Sequence, residues 1–234
     1  MKCFTILLLL LTSFFARSQE ILMMYTQSID ITGGASLTKF HDFANKHWRQ
    51  NGYSNYKTRP GYVIRIGLDL PYHGKINPRF DLTLENYGGY INVDESSPAG
   101  SFGTKGDVRK TNLTLGLTAI HYANFWKNLK VVSGPTISGL VSEKASGSFD
   151  YLNTSHDLDK DYNPFNSKVL LGYRIGIVKA FGLTEKYGIS LQYMWSLTLT
   201  KEFREYPSTT RAGRHAVTVG LYKNRKKKNV AYKI

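Results

Sequence analysis

Apolar and polar residues alternate along most of this chain, with the period of two that a half-buried β-strand requires. The longest case is 187–200, where apolar positions alternate with small or polar ones. The least regular is 129–141, where Pro135 lacks the N–H that a ladder needs, so we expect a bulge or distortion there. The eight predicted strands are 28–39, 61–70, 79–87, 112–120, 129–141, 168–181, 187–200 and 214–222.

The connections between these strands alternate in length. In an antiparallel meander, every second connection lies at the same end, so this rhythm predicts long loops at one end and tight turns at the other. The sequence therefore predicts an all-β fold, an eight-stranded antiparallel up-and-down barrel. The long connections are 40–60, 94–110, 142–166 and 201–213, and the short ones are 71–78, 121–128 and 182–186.

The apolar face of such a barrel points either inward around a ligand, as in a soluble barrel, or outward into lipid. Aromatic residues cluster near the strand ends, as in the girdles of transmembrane barrels, which favours the second solution. An eight-stranded lumen is just wide enough for side chains to fill it, so charges on the polar face are expected to form an ion-pair network inside. Arg65 is expected to pair with Asp69 or Asp81. The predicted network is Asp30, Arg65, Asp69, Arg79, Asp81, Glu85 and Arg174.

The first eighteen residues have the layout of a secretory signal peptide. Lys2 is followed by an apolar stretch at 4–15 and small residues at 16–18, and this stretch is too short for a comfortable membrane-spanning helix. We therefore expect a cleaved signal peptide at 1–18, a barrel at 19–222 and a basic tail at 223–234. Cys3 is the only cysteine, so the exported chain would contain no disulfide.

An exported meander of eight strands, with paired glycines in 31–35 (ITGGA) and the PGY of 60–62, resembles a known family. It is similar to the small outer-membrane β-barrel proteins of Gram-negative bacteria, the OmpA/OmpX-like proteins common in the Bacteroidota. The resemblance covers nearly all of 19–222 and implies outer-membrane location, extracellular long loops and periplasmic termini. It supplies no shared catalytic residues. Leu221 and Tyr222 precede a basic tail here, whereas such barrels often end on an aromatic residue.

The chain is strongly basic, with 31 Lys and Arg against 17 Asp and Glu and a formal net charge of +14. Nucleic acid is the usual partner of such a charge, but an exported barrel does not meet it. The expected partners are outer-membrane lipid, with lipopolysaccharide phosphates as the counter-charge of the basic segment 40–60, and an unidentified protein; we expect a monomer. The tail is either an electrostatic stop or a contact for anionic groups. Its basic residues are Lys223, Arg225, Lys226, Lys227 and Lys228.

Two patterns carry weak signals of chemistry. Asp157, Asp159 and Asp161 alternate as at the start of a calcium loop, but Tyr162 and Lys168 replace the Gly and Glu that such a loop needs. A solvated acidic loop is therefore favoured, and no metal or cofactor is expected. The six histidines form no arrangement that sequence alone identifies as a catalytic triad, so no catalytic residue is predicted.

These observations favour a non-enzymatic outer-membrane barrel with a structural or surface-interaction role and a lumen closed by ion pairs. Three alternatives stay open at this point. They are a periplasm-facing accessory in secretion or envelope assembly that uses the tail, a lipid-modifying barrel enzyme, and a soluble ligand-binding barrel.

Overall fold

The computed structural model describes residues 27–42, 52–70, 76–97, 100–122, 129–151, 154–157, 168–201 and 210–224. Nearly all of them are in strands, and no helix among them is long and apolar enough to cross a membrane. The strands are β1 (Ser28–Asp42), β2 (Gly52–Asp69), β3 (Ile76–Ser97), β4 (Gly100–Tyr122), β5 (Leu129–Tyr151), β6 (Thr154–Asp157), β7 (Val169–Gly182), β8 (Tyr187–Thr198) and β9 (Thr210–Asn224).

The eight long strands form a closed antiparallel barrel. They follow the order β4-β3-β2-β1-β9-β8-β7-β5, and a further pairing of β4 with β5 closes the ring. The four-residue strand β6 pairs only with the far end of β5, between Ser148 and Tyr151. The predicted fold, an eight-stranded up-and-down barrel, is confirmed.

Burial alternates along the strands and shows which face meets which surroundings. On β8 the side chain of Leu191 is 44% exposed on the outside, whereas that of Gln192 is completely buried. The same holds for β7, where Ile175 lies outside and Arg174 inside. Apolar side chains therefore line the outer surface and polar ones the lumen, which is the arrangement of a transmembrane barrel and the reverse of a soluble one.

All four predicted long loops are partly strand in the structure, because β2 begins at Gly52 and β9 at Thr210, and the hairpins are longer than expected. β3 and β4 pair continuously as far as Ser97 and Gly100, and β5 runs on to Tyr151. Beyond the apolar surface the outer face is polar, and the inner face is mostly glycine or polar apart from buried side chains such as Ile91 and Val108. The period-two signal therefore ends while the hydrogen-bonded ladder continues. The result is a pair of hairpins that extend the wall of the barrel at one end, which we call the hairpin end; the opposite end is the turn end.

The predicted distortion at Pro135 takes a specific form. The β4–β5 ladder pairs Gly116 with Thr136 and Ala119 with Ser133, so the register is the same on both sides of an interruption around the proline. The shift in register lies elsewhere, between Thr111 and Asn112 on β4. Pro135 thus costs ladder hydrogen bonds but does not displace the strand.

Candidate functional site in the barrel lumen

Arg79 is the centre of the charged lumen. Its buried guanidinium lies 2.7 Å from Asp30 on β1, 2.8 Å from Asp69 on β2 and 2.9 Å from Asp81 on its own strand. All four side chains are nearly inaccessible to solvent. Three carboxylates around one buried cation can be stable only when further donors share their charge, because a buried unpaired charge is very costly.

Other lumen groups supply those donors. Lys130 Nζ lies 2.8 Å from Asp69, and the Ser28 hydroxyl donates to the same carboxylate at 2.6 Å. The Thr118 hydroxyl donates to Asp81 at 3.2 Å. The acidic cluster is therefore bridged to β4 and β5 as well as to the three strands that carry the ion pairs.

Gly67 makes room for Arg79. It is the direct cross-strand neighbour of Asp30 on one side and of Asp81 on the other. Because Gly67 has no side chain, the Arg79 guanidinium can lie across it and reach both carboxylates. A Cβ atom at this position would overlap Arg79 Nη2 and would come within 2.9 Å of Asp30.

The network continues across the lumen through amide and hydroxyl groups. The Gln192 side-chain amide donates to Asp30 at 2.9 Å and accepts a hydrogen bond from Arg65 at 3.0 Å. Arg65 and Arg174 both donate to the Thr83 hydroxyl, at 3.4 and 3.2 Å. This chain of contacts links β1, β2, β3, β7 and β8 through the interior.

The contacts of Arg65 differ from the expected ones. Sequence reasoning assigned it Asp69 or Asp81, whereas Arg79 forms the ion pairs with both of these carboxylates. Asp69 is the direct cross-strand neighbour of Arg79, and Gly67 opens the way to the next carboxylate. Arg65 therefore uses the neutral acceptors Gln192 and Thr83.

Nearer the hairpin end, the lumen contains a second set of charged contacts. Glu85 accepts from Arg214 at 3.2 Å, and the Arg214 guanidinium lies 4.8 Å from the centre of the Tyr87 ring. Lys110 lies 3.9 Å from Glu143. Arg214 was not predicted as a site residue, although it shares the polar face of its predicted strand. Lys110 and Glu143 were not predicted because both lie in segments predicted to be loops.

An apolar cluster lies in the lumen beside the charged network. Ile120, Val132, Val178 and Met194 form a buried cluster contributed by β4, β5, β7 and β8. Strict alternation places Val178 and Met194 on the polar face of their strands, so the sequence pattern did not mark this cluster. The lumen is thus filled partly by paired charges and partly by hydrocarbon.

At the hairpin end, a polar groove lies between β3, β4, β5 and β6. Its volume is about 640 Å³, and Tyr90, Lys105, Asp107 and Ser146 are among the residues that line it. Lys57 Nζ lies 5.6 Å from the centre of the Tyr90 ring. The groove carries charges of both signs and opens to the outside.

The other predicted sites are only partly described. Asp157 is exposed at the end of β6, while Asp159 and Asp161 lie outside the described residues, as do 1–18 and the basic residues 225–228. Lys223 is on β9. Within the described ranges, no three His, Cys, Asp or Glu side chains are placed to hold a metal ion.

Comparisons with known proteins identify the family of this chain. Residues 25–202 match the model of the family described as outer membrane protein beta-barrel domain. No curated protein matches. Similar solved structures include Neisserial surface protein A, which is 15% identical over 84% of this chain and 96% of that chain with a TM-score of 0.42. Ail of Yersinia pestis is 14% identical over 84% and 99% of the two chains, with a TM-score of 0.41.

The OprG protein of Pseudomonas aeruginosa is 9% identical over 85% of this chain and 96% of that chain, with a TM-score of 0.40. At these values the three structures are only weakly similar to this chain. The family model, in contrast, covers most of the chain and includes the strands that carry the Arg79 network. The chain belongs to the outer membrane protein β-barrel domain family and is a protein of the outer membrane.

Proposed function

We propose that this protein is a non-enzymatic outer-membrane barrel whose lumen is sealed by its buried charges and whose hairpins serve a structural or surface-interaction role. The observation that carries the proposal is the continuous set of contacts from Lys130 through Asp69 and Arg79 to Asp30, Gln192 and Arg65. It crosses the interior from one side of the wall to the other.

The size and the bonding of the lumen side chains both support a seal. Arg65, Arg79 and Arg174 are the largest fully buried side chains in the part of the barrel that the structure describes. A solute passing them would have to separate charge-assisted hydrogen bonds that are worth about 1.5–3 kcal/mol each. The neighbouring cluster of Ile120, Val132, Val178 and Met194 offers an ion no oxygen ligand from its side chains.

Conductance in planar lipid bilayers tests the seal. The chain without residues 1–18 is expected to show no steady current, whereas the double variant Arg65→Ser/Arg174→Ser is expected to conduct. The double variant removes two large side chains whose contacts are Gln192, Thr83 and Ser196, so it leaves no carboxylate without its ion pair. Ile175→Ser on the outer face is the matched control and should stay closed. Steady current through the unaltered barrel would contradict the proposal.

The proposal includes an orientation, with the hairpins outside the cell and the termini in the periplasm. An even number of strands returns the chain to the side on which it entered, and transmembrane barrels have short periplasmic turns. Cys3 lies within the predicted signal peptide, so single cysteines can report the topology. Ser146→Cys at the hairpin end should react with an impermeant maleimide on intact cells, and Glu185→Cys at the turn end only after permeabilisation. The reverse labelling would overturn the orientation.

A further inference from the structure

Lysine and arginine surround the barrel where its apolar outer surface ends at the hairpin end. Leu37 on β1 is followed by Lys39, Leu199 after β8 by Lys201, and Val169 on β7 is preceded by Lys168. Seven of the eight long strands have such a cation on or beside them, and every one of these side chains is exposed or half-buried. We call this set the cation ring: Lys39, Lys57, Arg59, Arg109, Lys144, Lys168, Lys201 and Arg211.

Few negative charges accompany the ring. Among the described side chains, one carboxylate lies between members of the ring. It is that of Asp107, 2.6 Å from Arg59. Asp150 and Asp157 lie further along the hairpins, and the side chain of Glu143 is buried beside Lys110. The described part of the ring therefore carries a large excess of positive charge on the outer surface.

One pair within the ring is unfavourable for folding. Arg109 and Lys144 are direct cross-strand neighbours, and Gly88 on the other side of Arg109 offers no counter-charge. Like charges placed opposite one another destabilise a sheet. An anion held between the two side chains would offset this repulsion.

The turn end has a different character. Its outer surface carries Phe181 and Tyr187, and its described outward cations are limited to β7, the turn after it and β9. Lys186 and Lys223 both lie against the Tyr187 ring, at 5.6 and 5.8 Å from its centre. The cation ring is thus confined to the hairpin end of the barrel.

We propose that the cation ring binds the phosphate groups of lipopolysaccharide, the phosphorylated glycolipid of the outer leaflet. This inference rests on the orientation proposed above, which places the hairpin end in that leaflet. The ring begins where the apolar surface stops, so its partner must carry anionic groups at the depth at which acyl chains end, all around the protein. Ammonium and guanidinium groups are the side chains that proteins use to bind phosphate.

The structure extends the charge argument made from the sequence. Segment 40–60 alone was expected to face lipopolysaccharide, and of its cations Lys57 and Arg59 belong to the ring. The other members come from strands distant in sequence, which barrel closure brings to the same end.

Titration of the folded barrel with diphosphorylated lipid A in detergent micelles tests the proposal. The variant Arg109→Gln/Lys144→Gln should bind at least tenfold more weakly and lose much of the salt dependence. Its fold should be intact, because the substitutions remove a repulsive pair. The control variant Lys186→Gln/Lys223→Gln at the turn end should bind as the unaltered chain does. Equal affinity of all three proteins would overturn the proposal.

Three further ligands identify the chemistry that is recognised. Dephosphorylated lipid A should bind weakly, and phosphatidylglycerol vesicles should compete poorly. Complete competition by millimolar inorganic phosphate would reveal a free-phosphate site instead, and equal binding of phosphatidylglycerol would reveal a general anionic surface. Either result would overturn the assignment to lipopolysaccharide.

A stability measurement gives a second readout. Lipid A should raise the urea midpoint of the unaltered chain but not that of Arg109→Gln/Lys144→Gln, since a ligand that binds only the folded state stabilises it. If lipid A does not raise the urea midpoint of the unaltered chain while the cysteine labels report the expected topology, binding by the cation ring is rejected and the orientation stands. Failure of the labelling would reject the orientation on which it rests.

Discussion

Leu191 and Gln192 are neighbours on β8, but their side chains meet opposite requirements. Leu191 lies on the outer surface and needs only an apolar environment. Gln192 is buried in the lumen and bonds to Asp30, Ser190 and Arg65. The outer face is therefore defined by polarity and depth, whereas each position of the inner face depends on a particular partner.

This difference predicts how the two faces respond to substitution. On the outer face, one apolar side chain can replace another at little cost, and only a charge near the middle of the membrane is harmful. On the inner face, removing one member of a pair leaves its partner buried without compensation. The predictions that follow test this contrast, beginning with the largest effect.

Arg79→Met should be the most damaging of these substitutions. It leaves Asp30, Asp69 and Asp81 without their central cation, and breaking a buried pair typically costs about 3–5 kcal/mol. Equilibrium unfolding by urea in lipid vesicles measures the loss. Leu191→Met on the outer face is the control and should cost less than about 1.5 kcal/mol. Similar losses for the two variants would remove the distinction between the faces.

Ile175→Arg tests the depth dependence of the outer face, because Ile175 lies midway along the outward positions of β7. An arginine on the lipid side near the bilayer midplane costs about 2–4 kcal/mol, but only about 0–1 kcal/mol near an interface. Leu199→Arg, beside the cation ring, should therefore be tolerated. The same urea assay applies, and an equal loss at both positions would contradict the proposed placement of the apolar surface in the membrane.

Gly67→Ala tests the packing of the Arg79 network. The new methyl group would collide with a guanidinium that three carboxylates hold in place, and overpacking of this kind costs about 1–3 kcal/mol. Gly139→Ala on β5 is the matched control, because a Cβ there has no heavy atom within 4 Å. A folding free energy unchanged in Gly67→Ala would show that Arg79 can move aside.

Arg59→Met should have the smallest effect on stability. Its ion pair with Asp107 has the same chemistry as the Arg79 pairs, but the two side chains are 44% and 41% exposed. Solvent screens such a pair, and exposed pairs contribute about 0–1 kcal/mol. Unfolding in urea at low and high salt measures it. A loss comparable with that of Arg79→Met would mean that burial does not decide the strength of these pairs.

Much of the fold could be predicted from the chain because the alternation is a local signal. Each of the strands with a clear pattern, such as 187–200, is strand in the structure over most of its length. The pattern failed where both faces have similar polarity, as in 94–110, because alternation then disappears although the ladder continues. It also missed Met194, since a few apolar side chains fill the lumen beside the charged ones.

The contacts of the candidate site could not be predicted in the same way. The seven expected residues all lie inside the barrel, but their partners depend on which strands become neighbours and on which side chains can reach across the lumen. Gln192 and Asp30, 162 residues apart, illustrate this dependence. Gly67 does so as well, because its lack of a side chain decides that Arg79 reaches both neighbouring carboxylates.

By itself, the sequence determined the number of strands in the barrel, the direction in which each of their side chains points and the apolar surface that lipid requires. These properties follow from the polarity of successive residues, which acts over a few ångströms along a single strand. The tertiary structure alone decided which carboxylate pairs with which arginine, how far the hairpins extend and how separate cations come to encircle one end. Those outcomes depend on barrel closure, which brings together residues that no local pattern connects.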